Sequence, residues 1–221
     1  NKIQNFVVDK ITEYLEEKTG AEFEIEHVAI KFFNKFNLYS IEVSDLNNQK
    51  ILSIDNLNAE ISLLSLLKGD LHIESITAND LDACLYTNPD GSLNIQFLID
   101  AFTPQKKRET PNLIFPLITL NNASIRYNNE SLSTPHLKSW QFDANNIAID
   151  SLYTQIQFSL LQQSNLDANV NYLKFKEKSG FTLNHLSTYV EITDSTFIIP
   201  YAIIDLPHSN VTTDSTIIRL T

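Results

Sequence analysis

Cysteine, glycine, tryptophan and methionine are scarce in this sequence. Its 221 residues include one cysteine, four glycines, one tryptophan and no methionine. A single cysteine, Cys84, cannot form an internal disulfide, so cysteine usage does not indicate a redox compartment. The glycines, at positions 20, 69, 91 and 180, complete neither a GxGxxG fingerprint nor a P-loop. The sequence therefore excludes these two nucleotide-binding motifs.

Positive charge is also scarce. Sixteen basic residues against twenty-seven acidic ones give a formal net charge of -11. Because nucleic acids and anionic headgroups bind basic surfaces, we expect neither a nucleic acid partner nor adsorption through a polybasic patch. No run approaches the length of a membrane-spanning segment, and the first residues lack the basic-then-apolar pattern of a signal peptide.

No pattern of catalytic or metal-ligating residues is present in the sequence. The five histidines are scattered, without HExxH or Cys/His ligand spacing. Cys84 has no histidine nearby in sequence, which favours a structural thiol, although a nucleophilic site assembled in three dimensions stays open as an alternative. We therefore predict a protein that is not an enzyme and has no cofactor or metal.

What the sequence does contain is apolar alternation, most clearly between Ile51 and Tyr86. Period-2 alternation predicts half-buried strands. A short helical turn is expected at 64–68, a bulge before Ile76, and a tight turn at Asn79-Asp80 that leads into a third strand. The apolar positions of the predicted strands are Leu52, Ile54, Ala59, Ile61, Leu63, Leu71, Ile73, Leu81, Ala83 and Leu85.

The flanking sequence predicts a helix before this region and further strands after it. Residues 2–19 carry an apolar stripe at helical spacing, and Gly20 supplies the stop. The stripe comprises Ile3, Phe6, Val7, Ile11, Tyr14 and Leu15. It favours a helix that packs on the sheet, or one that plugs the end of the sheet near a membrane, and both can hold together. Strands are expected at 22–33 and 38–44, with a bulge near His27.

The predicted organisation follows from these elements. An amphipathic capping helix occupies residues 1–20, and a β-unit with a short helix at 93–102 occupies 21–102. The Pro- and Lys-containing stretch 103–112 is predicted to be a mobile linker, and 113–221 continues the strands. The first residue, Asn1, and an uncapped last strand (TIIRLT) favour a fragment of a longer protein.

The fold is predicted to be mainly β, an elongated antiparallel sheet with one apolar face. Two helices are too few to cover about a dozen strands, so the apolar face must curl around something apolar or meet a second layer. The sheet alone slightly favours a β-sandwich, in which the second half packs on the first.

The first hundred residues resemble the amino-terminal region of the AsmA/TamB-like proteins of two-membrane bacteria. The resemblance rests on YLEEKTG, IKFFN, EVSD, NLNAEISLLSLLKGDLHIESI and DGSLNIQFLIDAF, with a thinner match in SGFTLNHLST and IIDLPHSNV. It implies a sheet curled into an open apolar groove, as in the chorein-type bridge proteins that carry lipids between membranes. It also implies a periplasmic protein tethered to the inner membrane by an amino-terminal anchor and reaching an outer-membrane β-barrel partner through a carboxy-terminal region, neither of which is in this sequence.

With the resemblance, the favoured function is a segment of a phospholipid transport bridge between the inner and outer membranes, in cell envelope biogenesis. The expected partners are phospholipid acyl chains. One alternative is an assembly factor for outer-membrane proteins that acts through exposed strand edges. Another is a closed β-sandwich that binds a ligand. The side chains predicted to line the lipid groove are Val43, Leu52, Ile54, Ile61, Leu63, Ile73 and Leu85.

Overall fold

The computed structural model describes residues 2–31, 34–61, 73–102, 113–114, 116–129, 140–161, 165–193 and 195–219. Two helices are present in these ranges, α1 (Lys2–Thr19) and α2 (Gln96–Phe102). The first six strands are β1 (Phe23–Lys31), β2 (Lys35–Ser44), β3 (Lys50–Ile61), β4 (Ile73–Thr87), β5 (Leu113–Ile114) and β6 (Leu117–Asn129). The others are β7 (Asn146–Leu161), β8 (Asn165–Glu177), β9 (Thr182–Ile192), β10 (Thr196–Leu206), β11 (Ser209–Thr213) and β12 (Thr216–Arg219).

All twelve strands belong to one open sheet. The order along it is β1-β2-β3-β4-β6-β7-β8-β9-β10-β11, with β5 paired to β7 and β12 paired to β10. The predicted mainly-β fold, a long sheet curled into an open groove with an amino-terminal helix and a second short helix, is confirmed. The β-sandwich alternative is wrong, because the second half extends the first half sideways instead of packing over it.

One pairing departs from the expected antiparallel sheet. Strands β4 and β6 are parallel, in a register that pairs Ile76 with Ile118 and Leu85 with Tyr127. The chain between them must therefore return from one end of the sheet to the other, and α2 lies in that connection.

We call the end that carries the turns after Ser44, Thr87 and Glu177 rim A, and the opposite end rim B. The linker expected at 103–112 and the helical turn expected at 64–68 lie outside the described residues.

A row of irregular residues crosses the sheet at mid-height. Ser40, Asp80, Asn122 and Ser151 all have φ between 52° and 58°, the left-handed region that is uncommon outside glycine. They lie on β2, β4, β6 and β7, and the strand register places them side by side, at or next to interruptions in the pairing. We call this row the crease. The change of apolar phase expected near His27 lies in the same row, because Glu26 is opposite Ser40, but the bulge expected there is not found, since the β1–β2 register shows no shift.

The crease corrects one prediction and explains the curl. Asn79-Asp80 is not a turn, since β4 runs unbroken from Ile73 to Thr87 through Asp80. The left-handed residue Asp80 slips the alternation by one residue, so that Ala78 and Leu81 share a face although three positions separate them, while the β3–β4 register stays unshifted there. Bulged strands bend, and bends aligned across neighbouring strands fold the sheet along one line. The apolar face thereby stays on one side from rim to rim.

The helices cover only the first part of this apolar face. A buried cluster beneath them comprises Ala21, Phe23, Val28, Phe36, Leu38, Ile41, Val43, Ile54 and Ala78. Leu15 of α1 and Phe97 and Leu98 of α2 pack against it. Of the predicted α1 stripe, Leu15 faces this cluster and Tyr14 is 44% exposed. The side chains of Ile3, Phe6, Val7 and Ile11 lie outside the described residues.

The end of α1 follows the predicted stop. Gly20 has φ of 74°, and its N–H donates to the carbonyl of Glu16 at 2.7 Å, the usual geometry of a left-handed C-terminal cap. Thr19 adds a second bond from its hydroxyl to the carbonyl of Leu15 at 2.7 Å. The helix therefore stops at the edge of β1 and places its last turn over that strand.

Candidate functional site: the open apolar face

The apolar face has a covered part and an open part. In the covered part, on β1 to β4, Val43 is 2% exposed and Ile54 5% exposed, because the helices fill the space above them. On β6 to β10 many of the corresponding side chains are half-buried, although others, such as Leu152 and Val170, are buried. No described helix packs on β7 to β10. The open part includes Ile118, Ile149, Ile156, Leu173, Leu186 and Val190.

Strand register makes the open part continuous from one strand to the next. Ile118 pairs with Ile156, which pairs with Val170 of β8. Towards rim A, Leu173 pairs with Leu186, which pairs with Ile204. Because directly paired residues point to the same side of a sheet, these rows form an apolar floor several strands wide.

Two threonines interrupt the apolar floor without breaking it. Thr154 and Thr188 are 8% and 6% exposed and lie on the apolar side of β7 and β9. The hydroxyl of Thr154 donates to the carbonyl of Tyr172 at 3.0 Å, and that of Thr188 donates to the carbonyl of Tyr201 at 2.8 Å. Both polar atoms are satisfied by the backbone, so neither hydroxyl needs a polar group from a ligand.

The predicted groove residues lie mainly in the covered part. Val43 pairs with Leu52, and the alternate position Ile41 pairs with Ile54, so these side chains share the apolar face. Leu85 follows Leu81 and Ala83 at alternate positions on β4. Ile61 pairs with Ile73, across a register shift that matches the bulge expected before Ile76. The side chain of Ile61 and all of Leu63 lie outside the described residues.

None of the groove residues predicted from the sequence lies in the open part. The apolar pattern of the open part is nevertheless present in β7, where Ile147 and Ile149 precede Ser151, and Leu152, Thr154, Ile156 and Phe158 follow it. The slip at the crease hides the common face from a strict period-2 reading. Which part of the face is covered depends on the helices, and alternation within a strand carries no information about that.

The opposite face is polar, and amide side chains bridge its strands beside the crease. The amide of Asn79 donates to Oδ1 of Asn56 at 3.1 Å, and the amide of Asn121 donates to Oδ1 of Asn79 at 2.9 Å. Exposed ion pairs lie nearby, between Lys35 and Glu60, Lys50 and Glu42, and Arg126 and Asp82. Cross-strand pairs of this kind stabilise a sheet and keep this face hydrated. The two faces therefore differ in chemistry over most of the sheet.

Carboxylates fasten the turns at rim A. Oδ1 of Asp45 accepts hydrogen bonds from the N–H groups of Asn47 and Gln49, and Oδ2 accepts one from the hydroxyl of Tyr86 at 2.5 Å. Burial acts to raise the pKa of Asp45, but these three bonds outweigh it and the pKa is lowered. Glu177 behaves in the same way. Burial acts to raise its pKa, but hydrogen bonds from Ser179 and Ala148 outweigh burial, and the pKa is lowered. Both carboxylates are therefore charged structural anchors at neutral pH.

The described residues offer little for catalysis. No three His, Cys, Asp or Glu side chains among them lie close enough to hold a metal ion. A cleft of about 530 Å³ between α1 and β1 is lined mainly by carboxylates, including Glu13, Glu16 and Glu24. Cys84 is exposed on the polar side of β4, in a hollow of about 360 Å³ that also contacts Arg126 and Lys178.

Two further findings concern membrane-spanning helices and similarity to known proteins. None of the helices described here is both long enough and apolar enough to cross a membrane. The sequence matches no protein-family model and no curated protein sequence. The resemblance to AsmA/TamB-like proteins therefore rests on the motifs quoted above, and a function must be argued from the geometry of the sheet.

Proposed function

We propose that the chain is a segment of a lipid-transport bridge, in which the open apolar face holds phospholipid acyl chains. The observation that carries this proposal is the one-sided apolar floor on β6 to β10, whose side chains are half-buried or buried, with no described helix packed on β7 to β10. Contiguous apolar surface of this kind marks an interaction site for an apolar partner. Lipid movement along it breaks no bond, so the proposal needs no catalytic residue.

The dimensions of the groove favour an acyl chain as the occupant. On β7 the wall from the crease at Ser151 to the first residue, Asn146, spans five residues, about 16 Å at roughly 3.3 Å per residue. One leaflet of a bilayer hydrocarbon core is about 15 Å deep. An acyl chain therefore fits along the wall on either side of the crease, with its headgroup in water beyond the nearer rim.

The resemblance extends the proposal to the whole protein. In that case the chain would lie in the periplasm, tethered to the inner membrane through an amino-terminal anchor, and lipids would pass towards the outer membrane. An outer-membrane partner would be reached through a further carboxy-terminal region. These statements come from the quoted motifs, whereas the lipid groove is argued from the sheet itself.

Native mass spectrometry of the purified protein tests the proposal, with two adjacent substitutions on β9 as a matched pair. Leu186 lies on the apolar face, and Ser187 lies on the other face opposite Ile203. We expect co-purified phospholipid on the wild type and on Ser187→Asp, and loss of it from Leu186→Asp. A charge in the groove would have to be buried against acyl chains without a partner, whereas the same charge at position 187 is hydrated.

Three results would contradict the lipid groove. One is the absence of phospholipid from the wild type after expression in a host with two membranes and after incubation with phosphatidylcholine vesicles. Another is equal lipid binding by both aspartate variants. The third is equal loss from both variants at unchanged far-UV circular dichroism, which would show that the added charge, and not its face, is responsible.

The open sheet edge favours an assembly factor as the second candidate. Strands β11 and β12 lie in one register along β10, and Val211, Ile217 and Ile218 on them are 47%, 55% and 49% exposed. Natural edge strands usually carry charges or prolines that prevent pairing, and apolar side chains favour pairing with a client strand. Crosslinks from position 217 to an outer-membrane protein, without lipid on β6 to β10, would support this candidate over the groove.

A further inference from the structure

We propose that α2 closes one end of the groove, which we call the blind end, and that Asn94 is the residue that positions α2. This inference rests on the proposed lipid function and adds where the lipid path ends. Phe97 and Leu98 of α2 occupy the space above the cluster on β1 to β4. Acyl chains would then lie only on the β6 to β10 side and reach the groove over a rim, not through the α1 end of the sheet.

The parallel pairing of β4 and β6 is what brings α2 over the groove. Because both strands run from rim B to rim A, the connection between them must travel back along the sheet. In its described part, Phe97 and Leu98 pack against the cluster on the apolar face. An antiparallel hairpin at this point would have needed no such crossing. α2 also contacts α1, so the two helices close the same part of the face.

Asn94 fixes the start of this crossing to the end of β4. Its side chain is 6% exposed, its Oδ1 accepts a hydrogen bond from the N–H of Tyr86 at 3.0 Å, and its Nδ2 donates to the carbonyl of Cys84 at 2.9 Å. Its own N–H donates to the carbonyl of Tyr86 at 2.9 Å. These three hydrogen bonds join Asn94 to the end of β4 and so restrict the position of α2 at rim A. Phe97 follows Asn94 by three positions.

The two parts of the face differ in whether a helix packs on them. Leu38 belongs to the cluster against which Phe97 and Leu98 pack, and Leu57 packs against the same cluster. On β7, Ile149 and Ile156 have no described helix packed on them, although buried side chains such as Leu152 occur there too. An acyl chain that reached the covered cluster would have to displace helix side chains, whereas one that reached Ile156 would displace no described helix.

Photolabelling of the wild-type chain tests the blind end without a disturbing substitution. The protein is incubated with vesicles of phosphatidylcholine that carries a diazirine in one acyl chain, irradiated, digested and mapped by mass spectrometry. We expect adducts in the β7 and β9 peptides, near Ile149, Ile156 and Leu186, and only background in the β2 and β3 peptides. Adducts on β2 and β3 of the wild type would overturn the blind end while leaving the lipid groove in place.

Variants of α2 then test the role of Asn94. In Asn94→Ala, and independently in Phe97→Ala, we expect adducts near Leu38 and Leu57 to rise from background to the yield of the β7 peptide. The control Gln96→Ala removes an exposed bond to Asp100 on the same helix and should keep the wild-type map. An unchanged map in a folded Asn94→Ala would overturn its positioning role. If that variant does not fold, Phe97→Ala decides whether α2 closes the groove. Absence of adducts from every apolar-face peptide would instead refute the lipid function.

Discussion

At the scale of single residues, two tyrosine–carboxylate pairs tie distant parts of the sheet together. The hydroxyl of Tyr86 donates to Asp45 across the β2–β3 turn, and the hydroxyl of Tyr189 donates to Oδ2 of Asp167 at 2.6 Å. Asp45 and Asp167 are each only 3% exposed. Buried carboxylates are tolerated when they accept hydrogen bonds, so each tyrosine hydroxyl helps to satisfy the carboxylate that it contacts.

Tyr189 predicts an alkaline loss of stability. The bond to Asp167, together with burial and the charges of Asp167 and Glu191, raises the pKa of Tyr189 to about 12. Because this folded-state pKa is above the unfolded value of about 10, the pair stabilises the fold fully below pH ~10 and progressively less between pH ~10 and ~12. Tyr189→Phe should be less stable than wild type at pH 8, with a difference that shrinks towards pH ~12. Thermal melts across this range measure it, and a constant difference would contradict the assignment.

Asp45 predicts the opposite pH dependence. Its pKa is lowered in the folded state, so its stabilisation is present above the unfolded pKa of about 3.9 and is lost as the pH falls through the folded value. Asp45→Ala leaves three donors without their acceptor and should cost about 2 kcal/mol or more in the free energy of unfolding at pH 7. Urea unfolding at pH 7 and pH 3 checks both statements. Asp9→Ala, exposed on α1, is the control and should change little.

At the scale of secondary-structure elements, the crease is the feature that shapes the sheet. Four residues with left-handed φ lie at one height on β2, β4, β6 and β7, and Asn122 and Asp80 are joined by a hydrogen bond of 2.6 Å from Nδ2 to Oδ1. Asn and Asp tolerate this conformation better than most residues. The small Ala78 and Ala123 beside it are 2% and 0% exposed, as expected where neighbouring side chains crowd on the inside of a bend.

Substitution of Asn122 tests the crease. Asn122→Val places a β-branched residue at φ of 58° and should destabilise the protein by about 1–2 kcal/mol or more. Asn122→Gly keeps the conformation accessible and should cost less than Asn122→Val. Asn128→Val, on the same strand without a positive φ, is the control and should be near neutral, because valine favours strands. Chemical denaturation measures all three, and equal costs at 122 and 128 would contradict the role of the crease.

At the scale of the whole molecule, the two edges of the sheet are treated differently. α1 packs on β1 at one edge, and β11 and β12 form the other edge with apolar side chains exposed. Between β11 and β12 the strand is interrupted opposite Pro200 and Tyr201, and proline cannot donate to the ladder. The sheet is therefore protected at its start and open to further pairing at its other edge.

Hydrogen exchange tests this asymmetry. Although β1 is an edge strand, we expect its amides to exchange more slowly than those of β11 and β12 by at least about tenfold, or roughly 1.4 kcal/mol in local opening free energy. The central strands β7 and β8 provide the slow reference. Equal rates at the two edges would show that α1 does not shield β1. Protection of β11 and β12 by added outer-membrane protein, without lipid on the groove, would favour the assembly alternative.

The local features of the chain could be read from its sequence. The helix at 2–19 with its stop at Gly20, the strands, their apolar face and the change of apolar phase near His27 all follow from spacing within a few residues, because side-chain direction is periodic along each element. The chemistry of Asn79-Asp80 was visible too, since both residues suit a left-handed conformation. Whether that conformation makes a turn or a bulge depends on the neighbouring strands, and there the sequence prediction was wrong.

How the elements combine could not be read from the sequence. The parallel pairing of β4 with β6, the alignment of four left-handed residues into one crease, and the covering of Val43 and Ile54 by helices depend on contacts between residues far apart in sequence. Alternation gives Ile54 and Ile156 the same pattern, yet one lies under α1 and α2 and the other on the open face. The physical reason is that a strand's period specifies which side is apolar, while burial of that side is set by what else the chain brings over it.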